Sequence, residues 1–124
     1  PHMFDFSSDG RQLVIVEDDG GFVIADLEAE DQQLLKPLPP LPDDQTYNLG
    51  RVLWLNNRDQ VILELDDPQS KLLLIDVTTG AIEREWLVGK DIRERLRISR
   101  TGGFGLFISD DDVIRVLPLL DDAA

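Results

Sequence analysis

The side chains that most often perform catalysis are scarce in this chain. Its 124 residues include no cysteine and one histidine, against 25 acidic and 12 basic residues. A thiolate nucleophile, a cysteine zinc site and a disulfide framework are therefore excluded. The histidine stands in Pro1-His2-Met3, which we interpret as the remnant of a cleaved expression tag. Without it no Ser-His-Asp triad or imidazole metal site can form, which leaves carboxylate pairs, lysines and hydroxyls as routes to catalysis. The missing histidine and cysteine fit a binding role better, so we expect no enzyme activity, no metal and no cofactor.

The net charge of -13 restricts the classes of partner. Nucleic-acid binding depends on clustered lysine and arginine, so we expect no nucleic-acid partner. No apolar run approaches the ~20 residues of a membrane span, so we expect no membrane partner. We recognise no signal peptide and expect a cytoplasmic location. Because 42% of the residues are hydrophobic, the chain can still build a core.

One candidate binding segment is rich in proline. In Lys36-Pro37-Leu38-Pro39-Pro40-Leu41-Pro42 the prolines favour an extended polyproline II backbone. The spacing of Lys36, Pro39 and Pro42 resembles that of ligands for Src-homology-3 domains, whose aromatic slots accept prolines. The alternative, which we favour, is a rigid linker between two structural units.

A second candidate segment, residues 90–100, is basic. Alternate side chains of a strand share a face, so Arg93, Arg95 and Arg97 would form a strip for an acidic or phosphate-bearing partner. The alternative, which we favour, is an exposed or edge strand whose arginines pair with nearby carboxylates.

The elements that must position these segments have the pattern of strands. Apolar residues come in short aliphatic runs such as Leu13 to Val16 and Leu72 to Ile75, each bounded by Asp, Gly, Asn, Ser or Pro. This pattern is typical of strands joined by tight turns and predicts an all-β fold. It allows one short helical turn, between Leu27 and Leu34.

The same arrangement of strands occurs three times. Seven residues after the end of each unit's first strand, the next strand opens; the paired positions are Phe6 with Leu13, Trp54 with Val61, and Ile98 with Gly105. A third strand follows in each unit, and the first two units add a fourth. Four short antiparallel strands in about 40–50 residues are typical of a β-propeller blade.

Acidic turns follow the second strands of the three units. They are Glu17-Asp18-Asp19, Asp66-Asp67 and Asp110-Asp111-Asp112. Equivalent turns would lie on one rim and attract a basic partner, although ordinary turn chemistry is the interpretation we favour.

Two motifs resemble those of a known family. Residues Ser7 to Leu13 resemble the turn between the first two strands of WD-repeat-like propeller blades, and residues Leu74 to Gly80 resemble the turn after their third strand. The Gly-His and Trp-Asp pairs of typical WD repeats are missing. The resemblance implies a partial β-propeller of antiparallel four-stranded blades, with an unrelated antiparallel sandwich or barrel as the alternative.

The resemblance also implies a division of the chain. Residues 1–3 are the tag remnant, 4–50 a first unit with a proline-rich connector at 36–46, 51–95 a second unit, 96–120 a partial third unit and 121–124 a tail. Propellers close rings of about 4–8 blades. These units therefore belong to a larger ring, or form a half-ring completed by pairing. Because open blade faces would be apolar and open strand edges invite pairing, we expect a homo-oligomer, most simply a dimer.

Propellers of this kind are mostly platforms for other proteins. The resemblance therefore implies a non-catalytic interaction or scaffolding module with a protein partner, within a larger protein. The alternatives are a fragment of a metal-dependent, hydrolase-like propeller enzyme and an acidic mimic that occupies a basic surface. The candidate partner-binding residues are Lys36, Pro37, Pro39, Pro40, Pro42, Arg93, Arg95 and Arg97.

Overall fold

The computed structural model describes residues 3–39, 47–65, 70–89, 97–99, 103–108 and 113–118. Their strands are β1 Met3–Phe6, β2 Gln12–Val16, β3 Phe22–Asp26, β4 Asp31–Leu35, β5 Leu49–Trp54, β6 Gln60–Leu65, β7 Ser70–Asp76, β8 Ile82–Gly89, β9 Arg97–Ile98, β10 Phe104–Ile108 and β11 Ile114–Pro118. They form three antiparallel sheets, ordered β1-β2-β3-β4, β5-β6-β7-β8 and β11-β10-β9. We call these the first, second and third sheet. The predicted all-β fold with antiparallel four-stranded blades is confirmed.

The helical turn allowed between Leu27 and Leu34 is wrong. Residues 27–30 form a turn, and β4 already begins at Asp31. Asp26 Oδ1 accepts hydrogen bonds from the N–H groups of Glu28 and Ala29, and Glu30 has a positive φ of 54°. A left-handed residue reverses the chain and does not continue a right-handed helix.

The seven-residue offset found in the sequence is the pairing register of the first two strands. Phe6 lies opposite Leu13, Trp54 opposite Val61 and Ile98 opposite Gly105. On the third strands, the residues paired with Leu13, Val61 and Gly105 are Ala25, Ile75 and Leu117, respectively. The three sheets therefore share this register over their first three strands, apart from a bulge between Leu49 and Arg51 in the second sheet.

Because directly paired residues point to the same side of a sheet, the register assigns each residue to a face. We call the side of Phe6 and Trp54, together with the side of the third sheet that the register makes equivalent, the first face, and the opposite side the second face. Phe4 and Phe6 therefore lie on the first face of the first sheet, whereas Val14 and Phe22 lie on its second face.

The core lies between the second face of the first sheet and the first face of the second sheet. Its buried members are Val14, Val16, Phe22, Ile24, Leu35, Leu38, Val52, Trp54, Val61, Leu63, Leu65, Leu73, Ile75 and Val77. Burial alternates along β2, which is covered on one face only, but is continuous along β6. The second sheet is thus buried on both faces.

A hydrogen bond joins the two sheets where their innermost strands meet. Asp5 Oδ2 on β1 accepts from the backbone N–H of Trp54 on β5, at 2.7 Å. The indole Nε1 of Trp54 donates to the carbonyl of Arg58 at 2.8 Å, which fixes the ring within the core. A hydrogen bond to a charged carboxylate is stronger than one between neutral groups. This bond therefore helps to hold β1 in a fixed position beside β5.

We expect Asp5→Ala to destabilise the fold by about 1–3 kcal/mol, because it leaves the half-buried Trp54 N–H without its charged acceptor. Asp31→Ala is the matched control: both carboxylates accept from the next residue's N–H, but only Asp5 reaches the second sheet. Urea unfolding measures both variants. Equal losses of stability in the two variants would mean that the bond between the sheets adds no measurable stability.

Candidate interaction surfaces

The β1–β2 turn is held in shape by its own side chains. Asp9 Oδ1 accepts from the Ser7 hydroxyl at 2.7 Å and from the Arg11 N–H at 3.0 Å. Gly10 has a φ of 73°, which glycine adopts without steric cost. The motif that resembles the first WD-repeat turn therefore encodes a turn that its own side chains stabilise.

In the first two sheets, the turn after the third strand is held by an aspartate carboxylate that accepts hydrogen bonds from backbone N–H groups. Asp26 Oδ1 accepts from two N–H groups of the β3–β4 turn. Asp76 Oδ1 does the same in the β7–β8 turn, from Thr78 at 2.7 Å and Thr79 at 3.3 Å. These are Asx turns, in which a side chain replaces a backbone acceptor.

The turns of the two sheets are joined into one surface. The Asn57 N–H donates to the Ser8 hydroxyl oxygen at 3.1 Å, which links the β1–β2 turn to the β5–β6 turn. Within each sheet the first and last turns are also linked, by Leu27 N–H to the Arg11 carbonyl and by Val77 N–H to the Asp59 carbonyl. We call residues 7–11, 26–30, 55–59 and 76–81 the joined rim.

The joined rim is acidic. Its carboxylates are Asp9, Asp26, Glu28, Glu30, Asp59 and Asp76, and its cations are Arg11 and Arg58. An exposed ion pair at 3.2 Å connects Arg11 with Glu28 across two turns of the first sheet. Carboxylates outnumber guanidinium groups here, so the rim has a negative potential.

Hydrogen bonds to the rim carboxylates also change their acidity. The Arg11 N–H and then the Ser7 hydroxyl lower the pKa of Asp9 below its ordinary value of 3.8. The hydrogen bond from the Ala29 N–H is the largest effect on Asp26. With smaller contributions from the Glu28 N–H and the charge of Arg11, it lowers the pKa of Asp26, although desolvation, the second-largest effect, opposes it. Both groups stay ionised through the range in which proteins normally work.

The proline-rich segment is described from Lys36 to Pro39, while Pro40 and Pro42 lie outside the described residues. Lys36 and Pro39 are exposed, whereas Leu38 is buried in the core. The Tyr47 hydroxyl donates to the Pro39 carbonyl, and the Tyr47 N–H donates to the Asp18 carbonyl at 2.9 Å. The start of the connector is therefore packed against the first sheet. Its role as a Src-homology-3 ligand stays a prediction.

The basic strip is described only at Arg97, which is exposed at the start of β9. Arg93 and Arg95 lie outside the described residues, as do the acidic turns at 66–67 and 110–112. The binding role of the basic strip therefore stays a prediction. The prediction that the acidic turns after the three second strands lie on one common rim, which is distinct from the joined rim, also stays untested. The described acidic turn, Glu17-Asp18-Asp19, follows β2 and so lies at the edge opposite the joined rim.

Sequence reasoning did not identify the joined rim or the burial of Leu38. The turn motifs were visible, but the bond between Ser8 and Asn57 connects residues far apart in the chain. The only local signal for Leu38 was a leucine within a run of prolines.

The described residues form neither a metal site nor a membrane-spanning helix. No group of three or more histidine, cysteine, aspartate or glutamate side chains in the described ranges is arranged to hold a metal ion. The described part of the chain also contains no helix long and apolar enough to cross a membrane.

We expect Leu38→Ala to destabilise the fold by about 2–4 kcal/mol, because it removes a buried side chain and leaves a cavity. Leu27→Ala, which shortens an exposed leucine in the β3–β4 turn, is the control and should be nearly neutral. Thermal or urea unfolding distinguishes them. A neutral Leu38→Ala would mean that the connector does not anchor to the core.

Acid should weaken the β3–β4 turn. Because folding lowers the pKa of Asp26, its contribution to stability is complete above 3.8 and is lost as the pH falls through the lowered value. Asp26→Asn keeps an acceptor oxygen but does not titrate.

We expect the free energy of unfolding of the Asp26→Asn variant to fall less than that of the wild type between neutral pH and about pH 3, as measured by urea unfolding. Asp31→Asn controls for net charge, and an equal effect there would contradict the assignment.

The chain is similar to known proteins at the level of structure. No family model matches the chain, and no curated protein matches its sequence. Three solved structures resemble it over nearly its whole length: the β-propeller domain of Myceliophteria thermophila Cps50 (Swd1) (TM-score 0.63, 17% identity, 97% of this chain), a chain of the Mitotic Checkpoint Complex (0.60, 17%, 93%) and Kluyveromyces lactis Hsv2 (0.58, 14%, 98%).

These similarities concern only part of each larger protein. The chain spans 36% of the Cps50 domain, 32% of the checkpoint-complex chain and 34% of Hsv2. At these identities the likeness establishes the fold. All three are WD40 β-propeller domains, and their agreement with the sheets and register described above decides between a propeller and an unrelated sandwich. The chain has the fold of a partial β-propeller and is similar in structure to these WD40 β-propeller domains.

Proposed function

We propose that this chain is a non-catalytic protein-interaction module whose joined rim binds a basic segment of a partner protein. The observation that carries the proposal is the link between Ser8 and Asn57, which combines turns from two sheets into one surface. Loops that are positioned by a rigid scaffold commonly carry binding functions.

The rigidity of the rim supports binding. Asp9, Asp26 and Asp76 each hold a turn through bonds to backbone N–H groups. A surface that is already ordered loses little conformational entropy when a partner binds. The rim can therefore accept a peptide or loop without first being reorganised.

The charge of the rim indicates the chemistry of the partner. Glu28, Glu30 and Asp59 are exposed on it, and the whole chain has a net charge of -13. Such a field attracts cations and repels phosphate backbones. We therefore propose a lysine- or arginine-rich protein segment as the ligand, and no nucleic acid.

The fold is consistent with this role. The chain resembles WD40 β-propellers, one of which comes from a structure of the Mitotic Checkpoint Complex. The similarity supports a binding module and does not identify its partner.

Peptide selection on the immobilised chain tests the proposal. We expect the recovered peptides to be basic, and Glu30→Lys to weaken them about three- to tenfold because it reverses a charge on the rim. Glu17→Lys makes the same charge change at the opposite edge and should have a smaller effect. Fluorescence anisotropy with a labelled selected peptide gives both affinities.

Two results would contradict the proposal. Equal weakening by Glu30→Lys and Glu17→Lys would indicate a general charge effect and no rim site. A strong increase in melting temperature with calcium or manganese would favour the metal-dependent enzyme alternative, because a ligand that binds the folded state stabilises it.

A further inference from the structure

The first sheet has an apolar face that none of the described residues covers fully. On its first face Phe4 is 62% exposed and Phe6 48% exposed, and Leu34 on the outermost strand is also exposed. The two phenylalanine rings contact each other edge to face, with centroids 6.1 Å apart. An exposed cluster of aromatic and aliphatic side chains in one sheet face is the mark of an interaction site.

The second sheet shows what normally covers such a face. The register makes Phe4 and Phe6 equivalent to Val52 and Trp54, which are 7% and 3% exposed. Those two belong to the core made with the second face of the first sheet. In this chain, therefore, the first face of one sheet packs against the second face of a neighbouring sheet.

The third sheet has an uncovered second face. Leu106, Ile114 and Val116 are 40%, 63% and 60% exposed. Leu106 lies opposite Val116, and both share a face with Ile114, two residues away on β11. By register these three residues correspond to Val14, Phe22 and Ile24, which are all buried in the core between the first and second sheets.

We propose that the second face of the third sheet docks onto the first face of the first sheet in a second copy of this chain. Each copy then offers both halves of a contact that it already makes internally. The contact joins different surfaces of the two copies, so it is head-to-tail. It does not depend on the proposed binding role of the joined rim.

Arg97 supports the same orientation. By register it takes the place on β9 that Asp5 has on β1, where Asp5 reaches the facing strand of the next sheet. In the docked pair Arg97 would therefore face β1 of the other copy, near Phe6. A guanidinium group at this position suits an aromatic ring.

Head-to-tail contacts close into a ring when the rotation between copies allows it. Two copies supply six sheets, which is within the range of about 4–8 blades found in propellers. A dimer would therefore bury both open faces of both copies.

Charge predicts how the association responds to salt. Each copy has a net charge of -13, so two copies repel each other and apolar contact must overcome this repulsion. Because salt screens exposed charges, we expect the dimer to strengthen as sodium chloride is added.

Complementation between two variants tests the head-to-tail arrangement. Phe4→Lys/Phe6→Lys disrupts the first face, and Ile114→Lys/Val116→Lys disrupts the second. Each changes net charge equally and towards zero, so greater repulsion cannot explain a loss of association. Sedimentation velocity should show dimers for the wild type, monomers for each variant alone and one-to-one dimers for their mixture.

Leu27→Lys/Leu87→Lys is the matched control, because both leucines are exposed and neither lies on an open face. It should remain dimeric. A monomeric wild type, a monomeric control, or either face variant remaining dimeric alone would overturn the proposal. So would a mixture that stays monomeric although both variants have wild-type circular dichroism.

Cross-linking gives a result that does not require the lysine variants to fold. The chain contains no cysteine, so Phe6→Cys and Val116→Cys introduce unique thiols at exposed positions. With a short bis-maleimide we expect dimers from the mixture of the two variants and little product from either alone. Equal cross-linking of Phe6→Cys with itself would contradict the head-to-tail contact.

Discussion

Burial of one sheet face against another is the interaction on which the rest of this structure depends. The first and second sheets each have apolar residues on both faces, so neither can satisfy the hydrophobic effect alone. Among the described residues, the largest buried cluster lies where the second face of the first sheet meets the first face of the second sheet, around Phe22 and Trp54. Stability is therefore a property of neighbouring sheets, as in other repeat proteins.

This packing explains where function can be located. Residues within the faces are needed for the core, so binding is left to the edges and to the ends of the stack. At one edge, Ser8 and Asn57 connect turns that the packing brings together, and the acidic joined rim results. At the ends, Phe6 and Val116 lie on faces that the described residues leave exposed. The face-to-face packing of the sheets thus accounts for both proposed binding surfaces, the joined rim and the exposed end faces.

The sequence was informative where the determinant is local. The register of Phe6 with Leu13 follows from the length of one turn, and turn length fixes register in hairpins. Local propensity failed between Leu27 and Leu34, because the carboxylate of Asp26 and the pairing of β4 with β3 outweigh a weak helical preference. The bond from Trp54 to Asp5 spans 49 residues, and no local pattern indicates such a contact.

The central claim is that these sheets pack face to face in the register described, and methyl nuclear Overhauser effects measure this directly. With Val, Leu and Ile methyl groups labelled, we predict cross-peaks between β2–β3 methyls, those of Val14, Val16 and Ile24, and β5–β7 methyls such as Val52, Val61 and Ile75. Cross-peaks confined to each sheet, or cross-peaks that join β5–β7 methyls to Leu13 and Val23 on the opposite face of the first sheet, would contradict the account.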